Sequence, residues 1–160
     1  GSSYKENALI KASSVSIATG KTALADDSGL EVEALGWKPG IHSARYITKE
    51  GSDAQRNERI LSLLQGLPWK KRRARFCCWI AIRTVTGKEY FAKGECKGYI
   101  AYVARGNSGF GYDPIFYVPE YGKTFAQLGP SLKGMISHRA RALVLAKKIL
   151  VNELKLQGGH

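Results

Sequence analysis

"FCCWIAIRTVTGKEYFAKGEC", residues 76–96, is the stretch on which the fold turns. The run from Phe76 to Val85 is apolar, β-branched and aromatic, and reads as the clearest strand of the chain. Gly87 turns it, and a second strand from Glu89 to about Cys96 returns antiparallel. Working outward, Tyr99 to Ala104 reads as a third strand. Upstream, Ala23 to Ala25 reads as a short strand ending in the adjacent carboxylates Asp26 and Asp27. Residues 4 to about 19 read as a helix, with Tyr4, Ala8, Ala12, Val15 and Ala18 on one face and Asn7, Lys11 and Ser14 on another. Ser52 or Asp53 caps a helix over about 54–65 that carries Ile60, Leu63 and Leu64. Thr124 with Gln127 makes a capping box for a short helix ending near Gly129-Pro130. The last helix follows Ser137, with Ala140, Leu143, Val144, Leu150, Val151 and Leu154 on its apolar face. The expectation is one α/β domain, residues 1–160, built on a mixed sheet flanked by helices.

At 160 residues the chain can bury a real core. Its longest apolar run, Phe76–Ile82, falls far short of the roughly 20 residues needed to cross a bilayer, so no membrane role is expected. Three cysteines, two of them adjacent inside that run, fit neither a disulfide framework nor a zinc spacing. They read as reduced, buried thiols of a cytoplasmic protein. The ends, Gly1-Ser2 and Gly158-Gly159-His160, have the composition of tag remnants. A net charge of +12 and a pI near 9.8 favour an anionic partner, whether nucleotide, nucleic acid or membrane surface. The densest stretch, Lys70-Lys71-Arg72-Arg73-Ala74-Arg75, is read either as a solvated loop and strand start or as a nucleic-acid patch.

Three clusters carry candidate chemistry. Asp26-Asp27-Ser28 at a strand end is either turn chemistry or half of a hard-cation site, since Mg²⁺ is commonly held by one or two carboxylates plus substrate phosphates and water. Adjacent residues of an extended chain face opposite ways, so one aspartate faces a cleft and the other supports from behind. Ser137-His138-Arg139 places two cationic side chains in a first helical turn, against the helix dipole. It reads as a site for an anion or a carbonyl oxygen, or as an exposed, solvated turn. The loop Asn107–Pro114 combines glycines, which permit close approach, with Phe110 and Tyr112, flat faces suited to a base; a structural turn between core aromatics leaves the same pattern.

In order and spacing, "ENALIKA" (6–12), "ALADDSGLEVEALG" (23–36), "PGIHSARY" (39–46), "GFGYDPIFYVPEYGKT" (109–124) and "SHRARAL" (137–143) closely resemble the inosine triphosphate pyrophosphatase family, which hydrolyses ITP, dITP and XTP. The resemblance implies a long curved sheet with helices around it, a nucleotide cleft between two lobes, and commonly a homodimer. It implies Mg²⁺ as cofactor and a purine nucleoside triphosphate as substrate. By motif match, Asp27 would be the metal-linked general base, Ser28 a substrate contact, and Lys11 and Lys133 phosphate-facing cations. Phe110, Gly111, Tyr112 and Asp113 would form the wall of the base site, and His138 and Arg139 would contact the purine. Donors from those two suit a 6-oxo group and oppose the 6-amino group of adenine, whereas GTP has to be rejected through its 2-amino group.

The sequence departs from the family at its start. Members carry an initial strand and loop with a Ser/Thr-x-Asn-x-x-Lys pattern, and further chain bearing an acidic metal ligand, ahead of the Glu-Asn-Ala helix with which this sequence opens. The expectation is therefore impaired turnover, and self-association across the surface such a segment would cover. Two further readings stand beside the enzyme: a purine-nucleotide-binding remnant without turnover, and a basic nucleic-acid-binding module whose affinity falls steeply with salt.

Overall fold

The computed structural model describes residues 1–46 and 51–153. Leu154 of the expected helix face and Gly158-Gly159-His160 lie outside the described residues. The hairpin is present and longer than its sequence signal: β3, Arg73–Arg83, pairs along its whole length with β4, Glu89–Ile100. Tyr99 and Ile100 belong to β4, and residues 101–105 form no strand, so the separate third strand is not seen. Instead β4 passes to two short strands, β5 (Phe116–Val118) and β6 (Lys123–Thr124). On the other side β3 pairs with β1, Ala23–Val32, which pairs at its end with β2, Lys38–Pro39. The sheet order is β2-β1-β3-β4-β5-β6, and all pairings among the described residues are antiparallel. The α/β class holds while the mixed sheet does not: the β3–β4 and β5–β6 connections are short turns, which join only antiparallel neighbours.

The largest correction concerns β1. It does not stop at Ala25 but runs through both aspartates to Val32, with Asp26 opposite Ile80, Asp27 opposite Trp79 and Ser28 opposite Cys78. Asp, Ser and Gly disfavour strands locally, yet apolar Leu30 and Val32 are fully buried and the full-length partner β3 fixes the register.

Helices cover both sides of the sheet. On one, α1 (Tyr4–Thr19) sets Ala8 and Ala12 on Ala81, small residues that bring helix and sheet close. Its buried line is Tyr4, Ala8, Ala12 and Ser16; Val15 is exposed, so the true stripe follows a strict i, i+4 row. On the other face α4 (His138–Glu153) packs Ala142 and Ala146 on Cys78, Ile80, Ile82 and Ala92. Leu143, Val144 and Val151, expected inward, are exposed. Gly94 on β4 explains the choice of small residues. A Cβ there would collide with the His138 carbonyl oxygen and the Ala142 nitrogen, so the start of α4 lies directly on the strand.

Beside α4, a larger core of Leu30, Ile60, Leu64, Phe76, Ile100, Ile115, Phe116 and Phe125 joins that same sheet face to α2 (Asp53–Leu63) and α3 (Phe125–Ile136). Both capping boxes, Ser52/Gln55 and Thr124/Gln127, are present. Gly129 breaks α3 with φ 77° and ψ 165°, where the sequence places its end; helix then resumes from Pro130 to Ile136, a turn that the glycine conceals. The basic run 70–75 is an exposed turn and strand start, with Lys70 and Lys71 exposed and Arg73 opening β3, but its arginines are engaged within the fold. Arg72 is 2% exposed and donates to the carbonyls of Leu64, Ile100 and Ala101, Arg73 pairs with Glu33, and Arg75 pairs with Glu31 and Glu95.

Candidate active site

Because side chains alternate along β1, its aspartates look opposite ways. Asp27 faces α1, where Lys11 Nζ lies 2.7 Å from its Oδ1 and Asn7 Nδ2 donates to its Oδ2 at 3.1 Å. Lys11 also donates to the backbone carbonyl of Asp26 at 3.0 Å, pinning the ammonium against the strand. Asn7 and Lys11 are one helical turn apart, so the spacing that put them on one polar face is also what delivers them to one carboxylate.

Asp26 faces α4. Arg139 donates to its Oδ2 through Nε (3.1 Å) and Nη2 (3.0 Å), and Ser28 Oγ donates to the same oxygen at 3.2 Å. The expected supporting aspartate is therefore the one that aims Arg139. This meets the dipole conflict at the start of α4: Asp26 supplies the negative charge that an arginine at a helix N-terminus otherwise lacks.

Ser28 then opens onto a cavity of about 210 Å³. Phe110, Gly111, Tyr112, Asp113, Lys133, His138 and Arg139 line it as well, so eight of the ten residues singled out by motif meet there. Lys133 sits with its Nζ 4.5 Å from the centre of the Phe110 ring and is ion-paired with Asp113. Asp113 is buried and also accepts the Phe110 N–H at 3.0 Å, so it braces the loop from inside. Tyr112 is buried and its hydroxyl donates to the Ser43 carbonyl at 2.8 Å. Phe110 alone of the aromatic pair stands out, 62% exposed at the cavity rim.

His138 is 6% exposed and stacks on Phe76, ring centres 4.7 Å apart and planes 12° from parallel. Burial, then the Arg139 and Lys133 charges, push its pKa down to about 3. The imidazole is therefore neutral at physiological pH, one nitrogen a donor and the other an acceptor. Its Nδ1 is buried and has no hydrogen-bond partner among the described residues.

Lys11 and Asp27 do not line this cavity; they lie on the opposite face of β1, one residue from Ser28. The strand between them is an edge. β2 pairs only with Glu31 and Val32, and among the described residues no strand lies beside Ala23–Leu30 on the side away from β3. At Leu30 that side is closed by Ser43, whose Oγ accepts the Leu30 N–H at 2.8 Å. A ligand crossing the edge near Asp26–Ser28 touches both faces.

Sequence reasoning missed Asp53, Arg56 and Asn57 of α2. Asp53 Oδ2 accepts the Gly111 N–H at 2.7 Å, Asn57 Nδ2 donates to the Gly111 carbonyl at 3.1 Å, and Arg56 pairs with Asp53. Asp53 and Asn57 lie more than fifty residues from Gly111 in sequence, so no local pattern betrays these contacts.

The edge strand of this α/β fold thus carries a lysine–aspartate pair on one face and an aromatic, cation-lined cavity on the other. Residues 1–149 match the model of the Ham1 family, and the chain belongs to that family. It is 49% identical over 150 residues to a dITP/XTP pyrophosphatase of Desulforamulus reducens, covering 94% of this chain and 75% of the relative. A dITP/XTP pyrophosphatase of Geobacillus kaustophilus is 48% identical over 143 residues, covering 89% and 70%. Among solved structures, the Ham1 protein of Staphylococcus aureus superposes with a TM-score of 0.90 at 45% identity, covering 96% of this chain and 79% of the other. The names of the first two relatives are those of nucleoside triphosphate pyrophosphohydrolases, as the motif resemblance implies.

Proposed function

We propose that the chain hydrolyses non-canonical purine nucleoside triphosphates, ITP, dITP and XTP, to the monophosphate and pyrophosphate. The observation that carries this is the two-faced edge of β1, which lets one substrate seat its base beside Ser28 and its triphosphate beside Asp27. In the cavity the purine stacks on exposed Phe110. Arg139, aimed by Asp26, and neutral His138 present donors to the 6-oxo group; an adenine 6-amino group would set donor against donor. Lys133 adds positive charge at the same wall.

Across the edge, Asp27 takes a proton from water as the water oxygen bonds to the α-phosphorus. The bond from that phosphorus to the bridging oxygen breaks, and pyrophosphate leaves with the electron pair. Asn7 holds one oxygen of Asp27 in place. Lys11 lies close enough to exchange its carboxylate contact for a phosphate oxygen, placing a cation where charge builds.

Asp27 also suits Mg²⁺. Among the described residues no three acidic, histidine or cysteine side chains form a cage, and a lone hard carboxylate fits an ion that takes its other ligands from phosphates and water. When bound, Mg²⁺ neutralises charge developing on the phosphate oxygens. The buried, unpaired Cys77, Cys78 and Cys96 accord with a reducing, cytoplasmic setting. The edge of β1 left unpaired among the described residues, with exposed Leu24 on that strand, supports self-association as a homodimer.

Pyrophosphate release from ITP, XTP, GTP and ATP, with and without Mg²⁺, tests the reading. Turnover selective for ITP or XTP, falling at least about 100-fold in Asp27→Asn while nucleotide still binds, is the expected outcome. Binding without turnover would leave a nucleotide-binding protein, and salt-sensitive binding of DNA or RNA alone would leave a nucleic-acid module.

A further inference from the structure

The N–H and the carbonyl of Gly111 are both gripped by one helix, α2. Asp53 and Asn57 are one turn apart on α2; the first accepts the Gly111 N–H and the second donates to the Gly111 carbonyl. Gly111 has φ 62°, and it separates Phe110, exposed at the rim, from Tyr112, buried and tied to Ser43. On the other side of this peptide the Phe110 N–H is held by Asp113. Two consecutive amides are thus bound by two carboxylates from different parts of the chain. The Asp113 carboxylate is anchored by Lys133 and the Asp53 carboxylate by Arg56. Asp53 and Arg56 also line the cavity, whereas Asn57 lies outside it.

We propose that Asp53 and Asn57 are positioning residues that set the height of the Phe110 ring over the purine seat through the Gly111 peptide, and so govern nucleotide affinity rather than the chemical step. The proposal rests on the purine reading of the cavity. With the clamp in place the Phe110–Gly111 backbone is fixed before a base arrives, and the ring needs no ordering on binding. Without it, the Phe110–Gly111 backbone keeps only its hydrogen bonds with Asp113, and the Phe110 ring gains freedom to swing from the rim. Asp27, Lys11 and Asn7 lie on the opposite face of β1 and keep their geometry.

The test uses the full chain with Asp53→Ala, Asp53→Asn and Asn57→Ala. ITP turnover is followed beside hydrogen exchange of the Gly111 amide, assigned by NMR. Asp53→Ala is expected to raise KM for ITP about tenfold with kcat within about twofold, and to speed Gly111 exchange by a similar factor. Asp53→Asn keeps an acceptor oxygen and restores most of the affinity. Asn57→Ala raises KM in the same direction without removing the amide's acceptor. Unchanged Gly111 exchange in Asp53→Ala overturns the clamp. Faster exchange with unaltered KM, or a loss confined to kcat, overturns its role in affinity. Should the unaltered protein bind ITP without turning it over, the hydrolytic reading fails on its own and Kd from calorimetry replaces KM. No binding of any purine nucleotide overturns both.

Discussion

At the scale of single residues, the site depends on which protonation state each side chain holds. His138 has a folded pKa near 3 against about 6.5 when unfolded, so between those values the unfolded chain binds a proton that the native one does not. Its contribution to stability is whole above about pH 6.5 and falls as pH drops toward 3, by roughly 1 kcal/mol per unit. Urea unfolding from pH 7 to pH 4 should show this slope, and His138→Gln should flatten it; equal slopes would mean that the imidazole is charged in the native protein. Asp53 acts in the more usual direction, its pKa lowered by hydrogen bonds from Arg56 and Gly111. Its contribution is present above its unfolded value and is lost as pH falls through the lowered one. The meeting of Ser28, Phe110, His138 and Arg139 at one cavity is legible in sequence, because the family resemblance names them without a fold. The partners of Asp26 and Asp27 are not, because they depend on which helix covers which face.

At the scale of elements, α4 shows what local periodicity cannot supply. Leu143, Val144 and Val151 form a plausible apolar stripe, yet the buried residues are Ala142 and Ala146. The deciding residue is Gly94, on another element, which draws the helix down until only small side chains fit beneath it. Gly94→Ala should therefore push α4 off β4, costing about 1 to 3 kcal/mol by overpacking and carrying His138 and Arg139 with it. Thermal unfolding and ITP KM, measured together, check this: a lower Tm with a higher KM is expected, and unchanged values for both would show that the helix has room to spare. The β3–β4 hairpin, the Thr124/Gln127 capping box and the span of α1 follow from sequence because their signals are local. The extent of β1 does not, since long-range pairing with β3 overrides the turn preference of Asp, Ser and Gly.

For the molecule as a whole, the edge of β1 that no strand covers among the described residues has two prospective occupants, a second copy and a nucleotide. At micromolar concentration light scattering should report about twice the 17.6 kDa chain mass. Added ITP should shift the population toward the smaller species if both use the segment around Asp26 to Ser28. A monodisperse monomer would remove the pairing proposal and leave the nucleotide reading intact. The alternation that divides the site along this strand also limits how the protein can change over generations. Substitutions can tune either face independently, but inserting or deleting one residue between Asp27 and Ser28 would exchange the faces on one side of the break and part the base seat from the hydrolytic side. Only paired insertions preserve the arrangement, so descendants of this chain can vary freely in length at the two ends of β1 while its middle can change only by even numbers of residues.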